Sequence, residues 1–161
     1  MTRKAVFPGS FDPFTKGHLD VLQSSLRVFD RVVVAVGYNN SKSGLFTIKE
    51  RIEIIKESVK NIPNVEVESY TGLTIDFCNS VGADFIVRGI RSTTDFDFEQ
   101  VIAQANFKLS PNIQTVFIPS SAECSFITST VVRDVLLNGG DATIFLASGV
   151  DLSNRLRSNR E

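Results

Sequence analysis

The sequence predicts an α/β fold: a doubly wound parallel sheet of about five strands, with helices on both faces and further short helices at the C-terminus. Short apolar runs such as Val32-Val33-Val34-Ala35-Val36 are unbroken, which suits strands covered on both faces. Between such runs lie longer stretches with apolar residues every three or four positions, the alternation expected of βα units. The 161 residues contain no linker, repeat or low-complexity tract, so 1–161 reads as one domain. A chain of that length hides roughly two-thirds of its extended surface on folding, enough for a core without metal or disulfide staples.

Arg3 to Pro8 is the first expected strand, built on Ala5-Val6-Phe7, and Arg31 to Gly37 is the second. Leu19, Leu22, Leu26 and Phe29 mark a helix between them that begins near Gly17 or His18. Thr47 and Glu50 form a capping box ahead of Ile48, Ile52, Ile55 and Val59, and Pro63-Asn64 ends that helix. Val65 to Tyr70 alternates apolar and acidic residues, as a half-exposed strand near a sheet edge does. A short helix follows with Leu73, Phe77 and Val81 inward, then a strand from Asp84 to Arg88. A helix from about Asp95 to Leu109 presents Phe98, Val101, Ile102, Ala105 and Leu109, and the strand Gln114 to Ile118 comes next. Thr128 to Leu137 reads as helix, closed by Asn138-Gly139-Gly140. The basic end with Arg155, Arg157 and Arg160 reads as a solvated helix terminus.

Seventeen Lys and Arg against 18 Asp and Glu give a net charge of -1, without the cationic excess a nucleic-acid binder needs. No run approaches the ~20 apolar residues of a membrane span. Cys78 and Cys124 are far apart and His18 is the only histidine, which argues against a disulfide framework or a Cys/His zinc site. A cytoplasmic protein with free thiols is expected.

Ligands of open parallel sheets sit beyond the carboxyl ends of the strands, so the loops there carry the chemistry. The first loop, Gly9 to His18, matches neither the dinucleotide fingerprint nor the P-loop. It still suits phosphate: Gly9 permits close backbone approach, Ser10 offers a hydroxyl, and Gly17 clears the space before a helix N-terminus. His18 in that first turn is placed to donate to a phosphoryl oxygen. A lone histidine is more often structural, but its place after a glycine at the mouth of a βα loop favours function. Arg88-Gly89-Ile90-Arg91 offers two guanidinium groups to a ligand with more than one phosphate, with ion pairs to Asp95, Asp97 or Glu99 as an equally weighted reading. Lys42 can reach the same edge from the second loop. Thr128-Ser129-Thr130 exceeds the needs of a single helix cap and suggests a second anion cradle, while Cys124 to Ile127 suggests an apolar slot for a base.

Thr15-Lys16-Gly17-His18 and Ile127-Thr128-Ser129-Thr130-Val131-Val132-Arg133 resemble the H/T-x-G-H and I-S-S-T-x-x-R motifs of a nucleotidyltransferase superfamily with a Rossmann-like fold. With Phe7 to Pro13, Lys42, Leu45-Phe46-Thr47, Arg88 to Arg91, Asp95-Phe96 and Gly140-Asp141, the resemblance narrows to the phosphopantetheine adenylyltransferase family over nearly the whole chain. It implies transfer of the adenylyl group of ATP to 4'-phosphopantetheine with Mg2+, giving dephospho-coenzyme A and pyrophosphate, in a cytoplasmic homohexamer. By position it implies that Ser10 and Lys42 hold the acceptor phosphate and that His18 stabilises the transition state; charge cancellation in such a transfer is expected from Arg91, Ser129 and magnesium at the departing pyrophosphate. It assigns Thr74, Arg88 and Asn106 to phosphopantetheine. To ATP it assigns Ser10, Phe11, His18, Gly89, Ile90, Arg91, Glu99, Cys124, Ser125, Phe126, Ile127, Thr128, Ser129 and Thr130. The chain departs from the family pattern at Ser10, Gly44, Thr74, Cys124 and Asp134; Cys124 in place of an aromatic residue implies weaker adenine stacking. The rival readings are a same-fold adenylyl- or cytidylyltransferase with another acceptor, such as nicotinamide mononucleotide, and a non-catalytic nucleotide sensor.

Overall fold

The computed structural model describes residues 1–158. The strands are β1 (Lys4–Gly9), β2 (Arg31–Gly37), β3 (Val65–Tyr70), β4 (Phe85–Ile90) and β5 (Gln114–Pro119). Between and after them lie α1 (Lys16–Ser25), α2 (Ile48–Val59), α3 (Thr74–Val81), α4 (Thr93–Leu109), α5 (Ser129–Leu137), a 3-10 turn at Thr143–Phe145 and α6 (Ser153–Ser158). The sheet is parallel throughout, in the order β3-β2-β1-β4-β5. From β1 the chain winds outward to β3 and then returns past β1 to build β4 and β5. The strand order therefore reverses between β1 and β4, where the crevice of a doubly wound sheet opens.

Alternation along the strands divides the core in two. Ala5, Phe7, Val32, Val34 and Val36 share one cluster with Val21 and Leu22 of α1, Ile54 and Ile55 of α2, and Val132 and Leu136 of α5. Val6, Val33, Ala35 and Ile86 point to the other face, against Ile75 and Cys78 of α3. The capping box at Thr47 is present, with the Glu50 amide donating to Thr47 Oγ1 and the Thr47 amide to Glu50 Oε2. Gly139, at φ 76°, ends α5 in the left-handed conformation that favours glycine. The half-exposed β3 lies at the sheet edge.

Four local expectations differ from the structure. In α3 Ile75 and Cys78 are buried, Phe77 and Val81 pack half-buried on the same cluster as expected, and Leu73 is instead the 53% exposed N-cap. Phe29 is buried from the turn after α1, whose helix stops at Ser25. Only Glu99 of α4 is buried, while Phe98 (69%), Val101 (61%) and Leu109 (62%) face outward. At the basic end, Arg155 reaches back to α2, 2.9 Å from Glu53 and 3.9 Å from Glu57; Arg160 lies outside the described residues. No helix among the described residues is long and apolar enough to cross a membrane.

Leu22 is fully buried where α1 meets the sheet, so Leu22→Ala leaves a cavity under the helix that carries His18. A loss of about 2–5 kcal/mol in chemical denaturation is expected, with the denaturant slope unchanged.

Candidate active site

Helix α1 starts with a capping box in which the third helical residue is a histidine. Thr15 Oγ1 accepts from the His18 amide at 3.4 Å, and the Thr15 amide donates to His18 Nδ1 at 2.9 Å. A backbone N–H is always a donor, so Nδ1 must keep its lone pair. The neutral imidazole then carries its proton on Nε2, free to donate. Phe11, Phe14 and Phe7 surround the ring, with centroids 5.0, 5.4 and 6.4 Å from it. Burial, reinforced by the charges of Arg91 and Arg88, lowers its pKa from 6.5 to about 3.

The cavity that receives this ring, about 310 Å³, lies between the ends of β1 and β4. Ser10, Phe11, Gly17, His18, Arg88, Gly89, Arg91, Glu99, Cys124, Ile127, Thr128, Ser129 and Thr130 line it, joined by Asp95 and Ser120. Two helix N-termini open here, α1 and α5, whose first N–H groups have no intrahelical acceptors. Gly17 sits where an added Cβ would come 3.0 Å from the Ile127 carbonyl oxygen, so it lets the two helix starts approach. Gly89 admits Val21 of α1, whose Cγ2 would lie 2.8 Å from a Cβ, and is a packing glycine. Phe11 is buried at φ 47°, with its ring over Gly9.

Both arginines of the fourth loop are paired. Arg88 grips Glu99 with Nε (2.8 Å) and Nη2 (2.6 Å), and its Nη1 donates to the Pro8 carbonyl at 2.7 Å. Arg91 donates from Nε to Asp95 at 3.0 Å and is more open. Arg88 to Ile90 belong to β4 and form no turn. The hydroxyls of 128–130 also have intramolecular partners. Thr128 caps the Val131 amide, Ser129 donates to the Pro13 carbonyl at 2.8 Å, and Thr130 Oγ1 accepts from Arg133. With those hydroxyls engaged, the donors left at the start of α5 are its backbone N–H groups.

Two further cavities adjoin the first. One, about 300 Å³, is lined by Thr74 and Asn106 with Tyr70, Ile102 and Thr115, and shares Arg88 and Glu99 with the His18 cavity. The other, about 1120 Å³, is lined by Lys42, Arg51, Arg133 and Tyr70 and meets the His18 cavity at Ser10. Lys42 thus stands across Ser10 from His18, in the neighbouring cavity. Ile90, Ser125 and Phe126 do not line any of the three, and Phe126 turns outward against Phe145. Sequence reasoning assigned no role to Asp12, Asp20 or Arg51. Asp20 accepts from the Ser121 amide at 2.9 Å and holds the loop after β5 to α1. The signal for Arg51 was a charged residue inside the apolar stripe of α2, and it is buried there.

A model of the cytidylyltransferase-like family matches residues 6–135. A phosphopantetheine adenylyltransferase from Flavobacterium psychrophilum is 49% identical over 148 residues, 92% of this chain and 97% of that protein. One from Carboxydothermus hydrogenoformans is 40% identical over 159 residues, covering 99% and 98% of the two chains. Among solved structures, a putative nicotinate-nucleotide adenylyltransferase from Vibrio parahaemolyticus superposes with TM-score 0.72 at 21% identity, covering 98% of this chain and 99% of the other. A bifunctional NMN adenylyltransferase/ADP ribose pyrophosphatase from Francisella tularensis, complexed with AMP and a manganese ion, has the same TM-score at 17% identity, covering 99% of this chain and 49% of that one.

The single imidazole gives one unambiguous NMR probe. In the free protein, nitrogen-15 shifts should report the Nε2–H form with no titration between pH 8 and pH 5. The unfolded chain binds this proton near 6.5 and the folded chain only near 3, so His18 makes stability fall as pH drops through that window. His18→Gln should flatten this part of the pH–stability curve; a histidine titrating near 6.5 contradicts the buried, capped ring.

Proposed function

The chain belongs to the cytidylyltransferase-like family and, within it, to the phosphopantetheine adenylyltransferases, and from that premise we propose how its cavities perform the reaction. The enzyme transfers the adenylyl group of ATP to 4'-phosphopantetheine, forming dephospho-coenzyme A and pyrophosphate. The observation that carries the residue assignments is the meeting of three cavities, joined in turn through Ser10 and Arg88 and each lined by at least one basic side chain.

ATP occupies the His18 cavity, its base against Cys124 and Ile127 and its phosphates over the first turns of α1 and α5. The acceptor lies along Thr74 and Asn106, and its phosphate reaches Ser10, with Lys42 approaching from the adjoining cavity. A phosphate is already nucleophilic near neutral pH, so no general base is needed. Its oxygen bonds to the α-phosphorus as the bond to the β-phosphate oxygen breaks, and the electron pair leaves with pyrophosphate. His18 donates from Nε2 to an α-phosphate oxygen as charge builds there, while Lys42 supplies a positive charge. Arg91 and the Ser129 amide receive the pyrophosphate. Arg88, held by Glu99 and Pro8, shapes the wall between ATP and acceptor.

Magnesium enters this scheme as part of the substrate, neutralising the triphosphate. Among the described residues no three His, Cys, Asp or Glu side chains form a metal-binding group. The manganese ion in the Francisella complex supports a divalent ion for the fold relatives. A homohexamer is part of the proposal, supported by the bare apolar face of α4. Two free, buried cysteines support the cytoplasm as its location.

His18→Ala should fold, bind ATP with modest change and lose about a hundredfold in turnover, on the order of 3 kcal/mol of transition-state stabilisation. Pyrophosphate release with 4'-phosphopantetheine against nicotinamide mononucleotide, and ATP against CTP, tests the reaction; activity only with nicotinamide mononucleotide would replace the acceptor assignment. Sedimentation of Val101→Asp should show the assembly dissociating to smaller species, and an unchanged sedimentation coefficient removes α4 from the interface.

A further inference from the structure

Asp12 and Arg51 form an ion pair, Nε to Oδ1 at 3.4 Å, with side chains only 10% and 9% exposed. The pair ties together two loops that come from different strands. Asp12 Oδ2 accepts from the Leu45 amide and Oδ1 from the Phe46 amide, both at 2.9 Å. Arg51 donates from Nε to the Phe46 carbonyl at 2.9 Å and from Nη1 to the Ser10 carbonyl at 3.1 Å. Leu45 is three residues beyond Lys42, whose own turn is closed locally on Asn39. Burying such a pair is costly, and nothing in the sheet requires it there.

We propose that Asp12 and Arg51 are positioning residues that set the Lys42 loop against Ser10, so that both reach the acceptor phosphate together; this rests on reading Ser10 and Lys42 as its contacts. Neither touches substrate. The guanidinium fixes the Ser10 backbone, and the carboxylate fixes the start of the segment that leads back to Lys42. Both parts of the acceptor-phosphate site thus hang on one buried contact.

Gly44 gives a way to disturb that contact without removing a charge. Its backbone lies outside the left-handed region, and a Cβ there would overlap the Arg51 guanidinium and lie 2.6 Å from Asp12 Oδ2. The test is steady-state kinetics of the full-length enzyme for Gly44→Ala, Arg51→Lys, Lys42→Ala and the Gly44→Ala/Lys42→Ala double variant, with melting temperatures alongside. Gly44→Ala and Arg51→Lys should each raise KM for the phosphorylated acceptor about tenfold and leave KM for ATP within about twofold. In the Lys42→Ala background the Gly44→Ala effect should largely vanish, since both act through one group. Unchanged acceptor kinetics in Gly44→Ala, full additivity with Lys42→Ala, or equal loss for both substrates with a lowered melting temperature overturns the positioning role. If Lys42→Ala alone leaves acceptor kinetics untouched, the reading of Lys42 falls and the positioning role with it. A strong Lys42→Ala effect beside a silent Gly44→Ala overturns only the positioning role.

Discussion

A backbone N–H cannot become an acceptor, and for that reason the Thr15 amide governs the chemistry of His18. The start of α1 must satisfy its orphan donors, and it does so with the Nδ1 lone pair of the histidine one turn along. That bond holds the ring, selects the tautomer and leaves Nε2–H toward the cavity. Three phenylalanine rings flank the half-buried imidazole and, with the nearby guanidinium charges, disfavour its charged form. A neutral donor of this kind strengthens as negative charge grows on a phosphoryl oxygen, without first having to lose or gain a proton.

The electrostatics of the cavity follow the same economy. Arg88 is balanced by Glu99 and Arg91 by Asp95, so the two guanidinium groups add little net charge before ligand binds. The donors at this edge are instead the N–H groups at the starts of α1 and α5, with Lys42 and Arg133 lining the adjoining cavity. A chain with net charge -1 thereby gathers backbone donors and cations at one edge of its sheet. Gly17 contributes to that arrangement, since a Cβ there would come 3.0 Å from the Ile127 carbonyl oxygen and press the two helix starts apart.

Much of the fold was legible because the relevant signals are local. The run at Val32 to Val36, the Thr47–Glu50 capping box and the Asn138-Gly139 stop each act within a few residues. The centre of the buried face of α3 was not: Phe77 and Val81 lie at its half-buried edge, while Ile75 and Cys78 take its middle and Leu73 is exposed, a rotation only the sheet beneath sets. In α4 the apolar residues are present, but Glu99 is the one buried there, turned toward Arg88, while Phe96 meets Phe117 of β5 edge-on and stays 40% exposed. The two readings of Arg88 had equal weight because Glu99, Asp95 and Asp97 were all within reach along the chain, and a guanidinium fork selects by geometry.

Local periodicity and capping, together with the loop motifs, determined by sequence alone the α/β class, the order of elements and the edge at which the site lies. Tertiary structure decided which groups remain available there. The Ser129 hydroxyl is taken by Pro13 and Arg88 by Pro8, Arg51 joins Asp12 across 39 positions, and Phe126 swings away from the cavity. Each outcome depends on a partner distant in sequence, and the energy of a buried hydrogen bond or ion pair is set by a geometry that exists only once the chain has folded.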